Sequence, residues 1–296
     1  MRMAEKKLIV IAGATAVGKT AAAIQVAQAL GTEVLSADSR QCYRELNIGV
    51  ARPTPEELKA VRHNFICSHS IYDNLNAAAY EKYALEVAQR VFKTKDTLVV
   101  VGGTGLYIKA LLEGMDAIPD IPQDIRRKLQ DDYDRKGLEW LQGEVAAIDP
   151  RFYQEGEIQN PHRLLRALEV VRFTGRSILD FHSRQKASRP FTAEKYVLDL
   201  PREEVYARIN SRVLQMMEAG LEAEARGLYP LRQMNALQTV GYRELFEHFD
   251  GEISLEQAVT DIQTNTRQYA KRQLTWFRKD EEFEWMGAEE IIGKYK

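Results

Sequence analysis

Only two cysteines, Cys42 and Cys67, occur in 296 residues, with no CxxC pair and no regular spacing to the five histidines. Neither a disulfide framework nor a zinc site is indicated, and both thiols are expected to be reduced. Long apolar runs are lacking too. The longest, Leu8 to Val17 and Leu98 to Ile108, are interrupted by Gly and Thr and fall short of the about 20 residues that a bilayer-spanning helix needs. The basic start, Met1 to Lys7, leads into a short apolar run without the cleavage region of a signal peptide, so a cytoplasmic protein with no membrane contact is expected. An excess of either charge is also missing: 41 Lys and Arg face 43 Asp and Glu, for a net charge of −2. A protein that grips phosphates over its whole surface would be basic, so any nucleic-acid contact must be local. Repeats and low-complexity stretches are absent. With 45% hydrophobic and 28% charged residues, the chain reads as folded, with two domains or one carrying a sizeable insertion.

The charge is unevenly placed. Leu112 to Pro150 carries ten acidic and five basic residues, whereas Asn160 to Pro190 carries two acidic and seven basic ones. Ile262 to Lys279 adds five basic residues and no acidic one. Two separated positive segments are suited to one polyanion.

Leu8 to Ala12 is apolar and β-branched, followed by a Gly-bounded turn and an Ala- and Gln-rich stretch to Leu30, which predicts strand, loop, helix. Glu33 to Ala37 predicts a second strand ending in Asp38-Ser39-Arg40-Gln41, and Thr97 to Val101 a third ending in Gly102-Gly103-Thr104-Gly105. Uniformly apolar strands belong to buried parallel sheets, whose ligands sit beyond the carboxyl ends of the strands. The three polar loops should therefore converge. From about Pro119 to Pro190 charged helical patterns take over, with Ile125, Leu129 and Tyr133 four residues apart. Tyr196 to Leu200 resumes as a strand, and helices are expected from Arg202 to the end. The expectation is an α/β core, residues 1–117 and 191–296, with a parallel sheet flanked by helices that the G-x-x-x-x-G-K-[ST] match at Gly13 to Thr20 makes P-loop NTPase-like, interrupted by a smaller all-helical insertion, residues 118–190.

Gly13-Ala14-Thr15-Ala16-Val17-Gly18-Lys19-Thr20 matches G-x-x-x-x-G-K-[ST] between a strand and a helix. Its glycines let backbone N–H groups turn toward phosphate oxygens, Lys19 supplies a mobile charge, and Thr20 can hold Mg²⁺. The motif is that of nucleotide-binding loops, ATP included. A P-loop NTPase also needs a metal-holding Asp at the end of another apolar strand, and the strand ending at Val101 offers a Gly-rich loop there instead. A diphosphate held from two sides fits this better than water attack on a γ-phosphate. Asp38 is the carboxylate nearest that site, suited to holding Mg²⁺ or to acting as general base, or else to an Asx turn or helix N-cap.

Asn160-Pro161-His162-Arg163 opens a predicted helix, with Arg163 and Arg166 on one face, a phosphate site or simply a solvated basic helix. Arg267, Lys271 and Arg278 share a face at i, i+4 and i+11, with Tyr269, Trp276 and Phe277 interleaved. Basic and aromatic residues together suit unpaired RNA, the alternative being core aromatics beneath a solvated stripe. Arg208 and Arg212 present two guanidinium groups toward a diphosphate or pair with Glu203 and Glu204. Gln238-Thr239-Val240-Gly241-Tyr242 reads as a loop or helix start without chemistry of its own.

Together, GATAVGKT at 13–20, DSRQCYRELNIGVARP at 38–53, GGTGLYIKAL at 102–111, NPHRLLRALEV at 160–170, QTVGY at 238–242 and RQYAKRQLTWFRK at 267–279 resemble the tRNA dimethylallyltransferases (tRNA isopentenyltransferases) of the bacterial type, over nearly the whole chain. The resemblance implies transfer of the dimethylallyl group from dimethylallyl diphosphate to the N6 amine of the adenosine 3′ to the anticodon. It makes Asp38 the general base and has Ser39, Arg40 and Gln41 hold the flipped base. Thr104 would act at the reacting centre, Gly13 to Thr20 would cradle the diphosphate with Mg²⁺ on Thr20, and Lys19, Arg208 and Arg212 would steady the leaving group. Gln159, Asn160, Pro161, His162 and Arg163, and less directly Arg126, would touch the anticodon stem-loop. A monomer is expected. Three other readings compete: an adenylate isopentenyltransferase acting on a free nucleotide, a P-loop kinase, opposed by the missing Asp, and a nucleotide-sensing RNA-binding protein, which would leave Asp38 and the GGTG loop unexplained.

Overall fold

The computed structural model describes residues 5–183 and 185–296. Six strands, β1 (Lys7–Ala12), β2 (Val34–Ser36), β3 (His63–Asn64), β4 (Thr97–Gly102), β5 (Thr192–Leu198) and β6 (Glu284–Met286), form one parallel sheet in the order β3-β2-β4-β1-β5-β6. Because successive strand residues face opposite sides, Leu8 and Val10 enter one core with Leu98, Val100 and Leu35, while Ile9 and Ile11 enter the other with Val99, Val101 and Val34. Both faces are covered. Helix Lys19–Ala29 lays Ala22, Ala23, Val26 and Ala27 on the second face. Helices Ala77–Val91 and Gly105–Glu113 cover the first. This is why the strands read as uninterrupted apolar runs. Among the described residues no helix is long and apolar enough to cross a membrane.

Two strands went beyond the sequence expectation. β3 is two residues long, and β6 lies where only helices were expected, held by pairing with β5 through Tyr196, Val197 and Leu198. Neither carries enough residues for a periodic signal. β5 also starts earlier than Tyr196, at Thr192, because Lys7 to Ala12 supplies partners from Thr192 to Val197.

The chain divides into two compact units, Met1–Gly114 with Ala187–Lys296, and Met115–Lys186. The second unit begins and ends a few residues before the expected 118–190. Gly114, at φ 85, ends its helix, and the Ala187 N–H donates to the Glu113 carbonyl at 2.7 Å. Arg189 then bonds the Ala110 carbonyl and Glu81 at 2.9 and 2.6 Å, so residues 187–190 belong to the α/β unit. The second unit is helical, built from Gln123–Ile148 with a break at Gly137, Pro150–Glu155 and Pro161–Thr174. Its own core includes Leu129, Leu141, Phe152, Leu164 and Leu168.

Candidate active site

The sheet order places β1 next to β4 and β4 next to β2, so the loops after these three strands share one edge. The register aligns Ala12 with Gly102 and Val101 with Ser36. The Ala37 N–H donates to Val101 at 2.6 Å and the Thr104 N–H to Ala37 at 3.1 Å, which stitches the loops after β2 and β4 together. A Cβ on Gly102 would land on the Ala37 backbone. The convergence expected from the sequence is therefore built into backbone contacts that tolerate no side chain at 102.

In the Gly13–Thr20 loop, Gly13, Ala16 and Gly18 take φ of 144, 67 and 94, which turns successive N–H groups inward above the N-terminus of helix Lys19–Ala29. Among the described residues the N–H groups of Ala16, Val17 and Gly18 make no hydrogen bond. Free N–H groups at a helix start form an anion cradle. Lys19 Nζ donates to the Ala14 carbonyl at 2.6 Å. Enclosure by protein lowers the Lys19 ammonium from 10.5 to about 8, with Asp38 opposing the decrease and Arg212 adding to it. Burial also lowers Arg212, opposed by Glu57 and reinforced by Arg208. Arg212 has no ion pair or hydrogen bond among the described residues, and it faces the same cavity as Lys19, Asp38 and Glu57.

That cavity, about 770 Å³, is lined by Lys19, Thr20, Asp38, Arg40, Gln41 and Arg212 among others. Asp38 makes the Asx turn weighed as its bland alternative: Oδ1 accepts from the N–H groups of Arg40 and Gln41 at 2.8 and 3.1 Å. The turn uses only that oxygen. Oδ2 accepts no hydrogen bond among the described residues, so the turn fixes one carboxylate oxygen and leaves the other without a protein donor. Behind it, Thr104 Oγ1 accepts from the Ser39 N–H at 3.1 Å. Gln41 Nε2 reaches the Val50 and Ala51 carbonyls at 3.2 and 2.9 Å, fixing the loop that forms the cavity's far wall. Burial pushes the neighbouring Cys42 thiol up to about 12, helped by Asp38, leaving it an inert core group.

Some side chains that shape the cavity were missed by the sequence reading. Gln273, buried near the C-terminal end of helix Leu255–Phe277, accepts from the Thr15 N–H at 2.9 Å and donates to the Gly103 carbonyl at 3.0 Å. It thereby bridges the two phosphate-friendly loops. A Cβ on Gly103 would strike Gln273, and one on Gly105 would strike Trp276, which accounts for the glycine spacing of the GGTG loop. Tyr269, which the sequence reading interleaved with the basic face of this helix, stands one helical turn before Gln273 and lines the same cavity. The residue is 38% exposed, and desolvation of its hydroxyl with the nearby Asp38 charge pushes it up to about 12. The segment 238–242, read as lacking chemistry, brings Thr239, Val240 and Gly241 to the cavity wall. Its Tyr242 hydroxyl donates to Glu224 at 2.6 Å, and a Cβ on Gly49 would lie 2.5 Å from the Tyr242 ring. No local pattern marks these residues, since each is defined by a partner far away in sequence.

Other expected residues are placed differently. Arg208 lies beside Gly18, but its guanidinium is held by Glu204 at 2.5 Å, the surface pairing that spacing had left open. Arg267 does not share a solvent face with Lys271 and Arg278. It turns inward to Asn210 at 2.6 Å and Thr264 at 3.0 Å, and Phe277 is core at 1% exposure. The outer face is instead a shallow groove of Lys271, Arg272, Trp276 and Lys279. In the helical unit, Asn160 caps helix Pro161–Thr174 by accepting from the N–H groups of His162 and Arg163 at 3.1 and 3.4 Å, with Pro161 in the first turn. The Gln159 N–H donates to Glu157 at 3.1 Å. His162 and Arg163 are exposed. Arg126 lies 3.6 Å from Glu169, which also takes Arg166 at 3.0 Å, so Arg126 is bound within its own unit.

Three kinds of similarity converge on one family. The sequence pattern of the family described as IPP transferase matches residues 41–280. The tRNA dimethylallyltransferase of Cytophaga hutchinsonii is 46% identical over 291 residues, which is 98% of this chain and 96% of the relative. That of Christiangramia forsetii is also 46% identical, over 96% of this chain and 94% of its own. Among solved structures, the tRNA isopentenylpyrophosphate transferase of Bacillus halodurans superposes with a TM-score of 0.72 at 33% identity, over 98% of this chain and 95% of that one. A eukaryotic dimethylallyltransferase acting on tRNA gives 0.77 at 25% identity, over 96% and 74%. The chain belongs to the IPP transferase family, among the tRNA dimethylallyltransferases.

Proposed function

We infer that the cavity between the Gly13–Thr20 loop, Asp38 and helix Leu255–Phe277 is where this chain performs the family's reaction. The chain transfers the dimethylallyl group from dimethylallyl diphosphate to the N6 amine of the adenosine 3′ to the anticodon in tRNA, releasing diphosphate. The allylic C–O bond breaks as the new N6–C bond forms, and negative charge moves onto the leaving diphosphate. The free N–H groups of Ala16 to Gly18, with Lys19 and Arg212, are already aimed where that charge develops, which is electrostatic preorganisation. Asp38 Oδ2 takes the proton that N6 loses, and Thr104 and Ser39 hold the loop that carries it. The observation that carries this reading is the carboxylate with one oxygen fixed by its turn and the other open, beside two unpaired cations.

The donor set also fits a magnesium ion. Thr20 lines the cavity, and among the described residues no group of three or more His, Cys, Asp or Glu forms a protein-only metal cage. Mg²⁺ is commonly held by one or two protein oxygens together with substrate phosphates. Thr20 would hold it there, and when bound it would neutralise part of the diphosphate charge.

The acceptor base must be unstacked, at a cost of a few kcal/mol. Arg40 and Gln41 beside Asp38 would hold it. The groove of Lys271, Arg272, Trp276 and Lys279, and the exposed His162 and Arg163 with Gln159, Asn160 and Pro161 around the helix start, would grip the anticodon stem-loop. Arg126 would support that helix through Glu169 rather than touch RNA. The chain would act as a cytoplasmic monomer.

The test incubates the protein and Mg²⁺ with radiolabelled dimethylallyl diphosphate and either unmodified anticodon stem-loop RNA or AMP. Label in the RNA alone is expected. Label in AMP would move the acceptor to a free nucleotide, and label in neither would overturn the assignment.

A further inference from the structure

The cavity's far wall, residues 47–52, lies outside every helix and strand, yet it is pinned from two sides. Within it the Ala51 N–H donates to the Ile48 carbonyl at 3.0 Å and the Arg52 N–H to the Asn47 carbonyl at 3.2 Å, and Ala51 takes a left-handed φ of 49. An alanine stays in that region only where its surroundings over-determine the backbone. On one side Glu224, in helix Leu221–Leu228, accepts from the Ile48 N–H at 2.8 Å with one carboxylate oxygen. Its other oxygen accepts from the Gly49 N–H at 3.0 Å and from the Tyr242 hydroxyl at 2.6 Å. On the other side Gln41 Nε2 donates to the Val50 and Ala51 carbonyls, and the backbone N–H of the same glutamine is one of the two that hold Asp38 Oδ1. The end of the turn is tied separately, by the Arg52 guanidinium on the Tyr43 and Arg44 carbonyls at 3.1 and 2.9 Å. Residues 48–51 are left to Glu224 and Gln41. Ile48 to Ala51 line the cavity, whereas Glu224 and Tyr242 do not.

We propose that Glu224 is a positioning residue for the reaction read above: its carboxylate sets the 48–51 turn, and through Gln41 that turn sets where Asp38 presents its open oxygen. The inference rests on Asp38 as the general base and adds what aims it. The Asx turn fixes Oδ1 relative to Arg40 and Gln41, but it does not fix those two residues relative to the opposite wall. The Gln41 side chain supplies that reference, and its two acceptors are held in place by Glu224. A carboxylate suits the task, because it accepts from two adjacent backbone N–H groups and a hydroxyl with no donor of its own. A glutamine there would turn its NH₂ toward one of the two N–H groups and leave that donor unsatisfied.

The experiment measures, in the full chain, the single-turnover rate of transfer from radiolabelled dimethylallyl diphosphate to anticodon stem-loop RNA, with both substrates saturating. Competition by inorganic pyrophosphate and filter binding of the RNA report on binding alone. Glu224→Gln should lower the rate by about 10- to 100-fold, the effect of a small misplacement at the reacting centre. Pyrophosphate competition and RNA affinity should stay within a few fold, a split that a general loosening of the fold would not produce. Gln41→Ala cuts the link and is itself slow, so adding Glu224→Gln to it should change the rate by less than about twofold. An unchanged rate in Glu224→Gln would overturn the proposal. So would binding of both probes lost in step with the rate, or effects that multiply in the double variant. Should Glu224→Gln not fold, Tyr242→Phe, which removes one of the three bonds and keeps the ring on Gly49, takes its place in the same cycle. Its fall of a few fold should again vanish in the Gln41→Ala background, and no fall, or one that persists there, would overturn the proposal. Transfer at the unaltered rate by Asp38→Asn would instead overturn the general-base reading itself.

Discussion

Affinity for the allylic diphosphate should fall steeply above about pH 8, for a reason set by Lys19. Its ammonium is enclosed and stands near Arg212, which lowers it from 10.5 to about 8 in the empty site. A bound diphosphate places negative charge beside it and restores the ordinary value. Binding therefore takes up a proton wherever free Lys19 is neutral and bound Lys19 is charged, between about pH 8 and 10.5. Below that window both states are protonated and affinity is flat. Within it affinity drops by up to about tenfold per pH unit, reaching about two orders of magnitude across the window. The donor does not confuse the measurement, since a diphosphate ester is fully ionised by about pH 8. Calorimetric titration with dimethylallyl diphosphate, in buffers of different ionisation enthalpy, should show close to one proton taken up near pH 9. Lys19→Met should abolish both the proton uptake and the slope. A flat profile, or the same slope in Lys19→Met, would refute the reasoning. The same shift affects the empty protein with the opposite sense: the unfolded chain binds more protons across that window, so this group's contribution to stability rises with pH there.

Asp38→Asn keeps an Oδ1 to accept from Arg40 and Gln41 but removes the proton acceptor. Transfer to RNA should fall by about 10²–10⁴, with RNA affinity by filter binding within a few fold and the loop intact. Arg212→Met removes an unpaired cation, and diphosphate affinity should drop by about 10- to 100-fold, the worth of a charged hydrogen bond, without a change in urea midpoint. Gly102→Ala forces a methyl group onto the Ala37 backbone and should cost about 1–3 kcal/mol in urea unfolding; an unchanged midpoint would show that the loops after β2 and β4 can separate freely. Replacing Lys271 and Lys279 with Gln should weaken RNA binding evenly across sequences and make the slope of log affinity against log salt shallower by about 0.7 per lost phosphate contact, while leaving diphosphate competition unaltered.

The parts of the site visible in the sequence are those in which one segment contains its whole physical reason. The Gly13–Thr20 loop is legible because turn, donors and helix start lie within eight residues. Asp38 was placed by its position just past a strand, though spacing could not say whether it formed a turn or faced the cavity. The structure shows that one oxygen does the first and the other is free for the second. Gln273 was hidden because its partners, Thr15 and Gly103, are 258 and 170 positions away, and a glutamine within a basic helix has no pattern of its own. Arg267 was misplaced for a related reason. Spacing groups it with Lys271, but helix Arg202–Glu218 packs there and offers Asn210, so tertiary contact engages Arg267 and the groove pairs Lys271 with Arg272 instead.

Helix Leu255–Phe277 explains why the ends of the chain have to meet for the chemistry to exist. Its inner side carries Tyr269 and Gln273, which face the cavity and tie the loops after β1 and β4 together. Its outer side carries Lys271, Arg272 and Lys279 with Trp276. Trp276 also stands against Gly105, whose missing side chain lets the helix approach the Thr104 loop. In the function proposed above, one rigid rod would serve the phosphate cradle on one side and offer a polyanion surface on the other, about a helix diameter of 10 Å apart. A nucleic acid docked on the outer side would be positioned by the same element that ties the two loops together, so its distance from Asp38 would depend on helix geometry. The short strand β6, just past this helix, pairs with β5 through Tyr196 to Leu198 and ties the end of the rod to the sheet from which the P-loop itself springs.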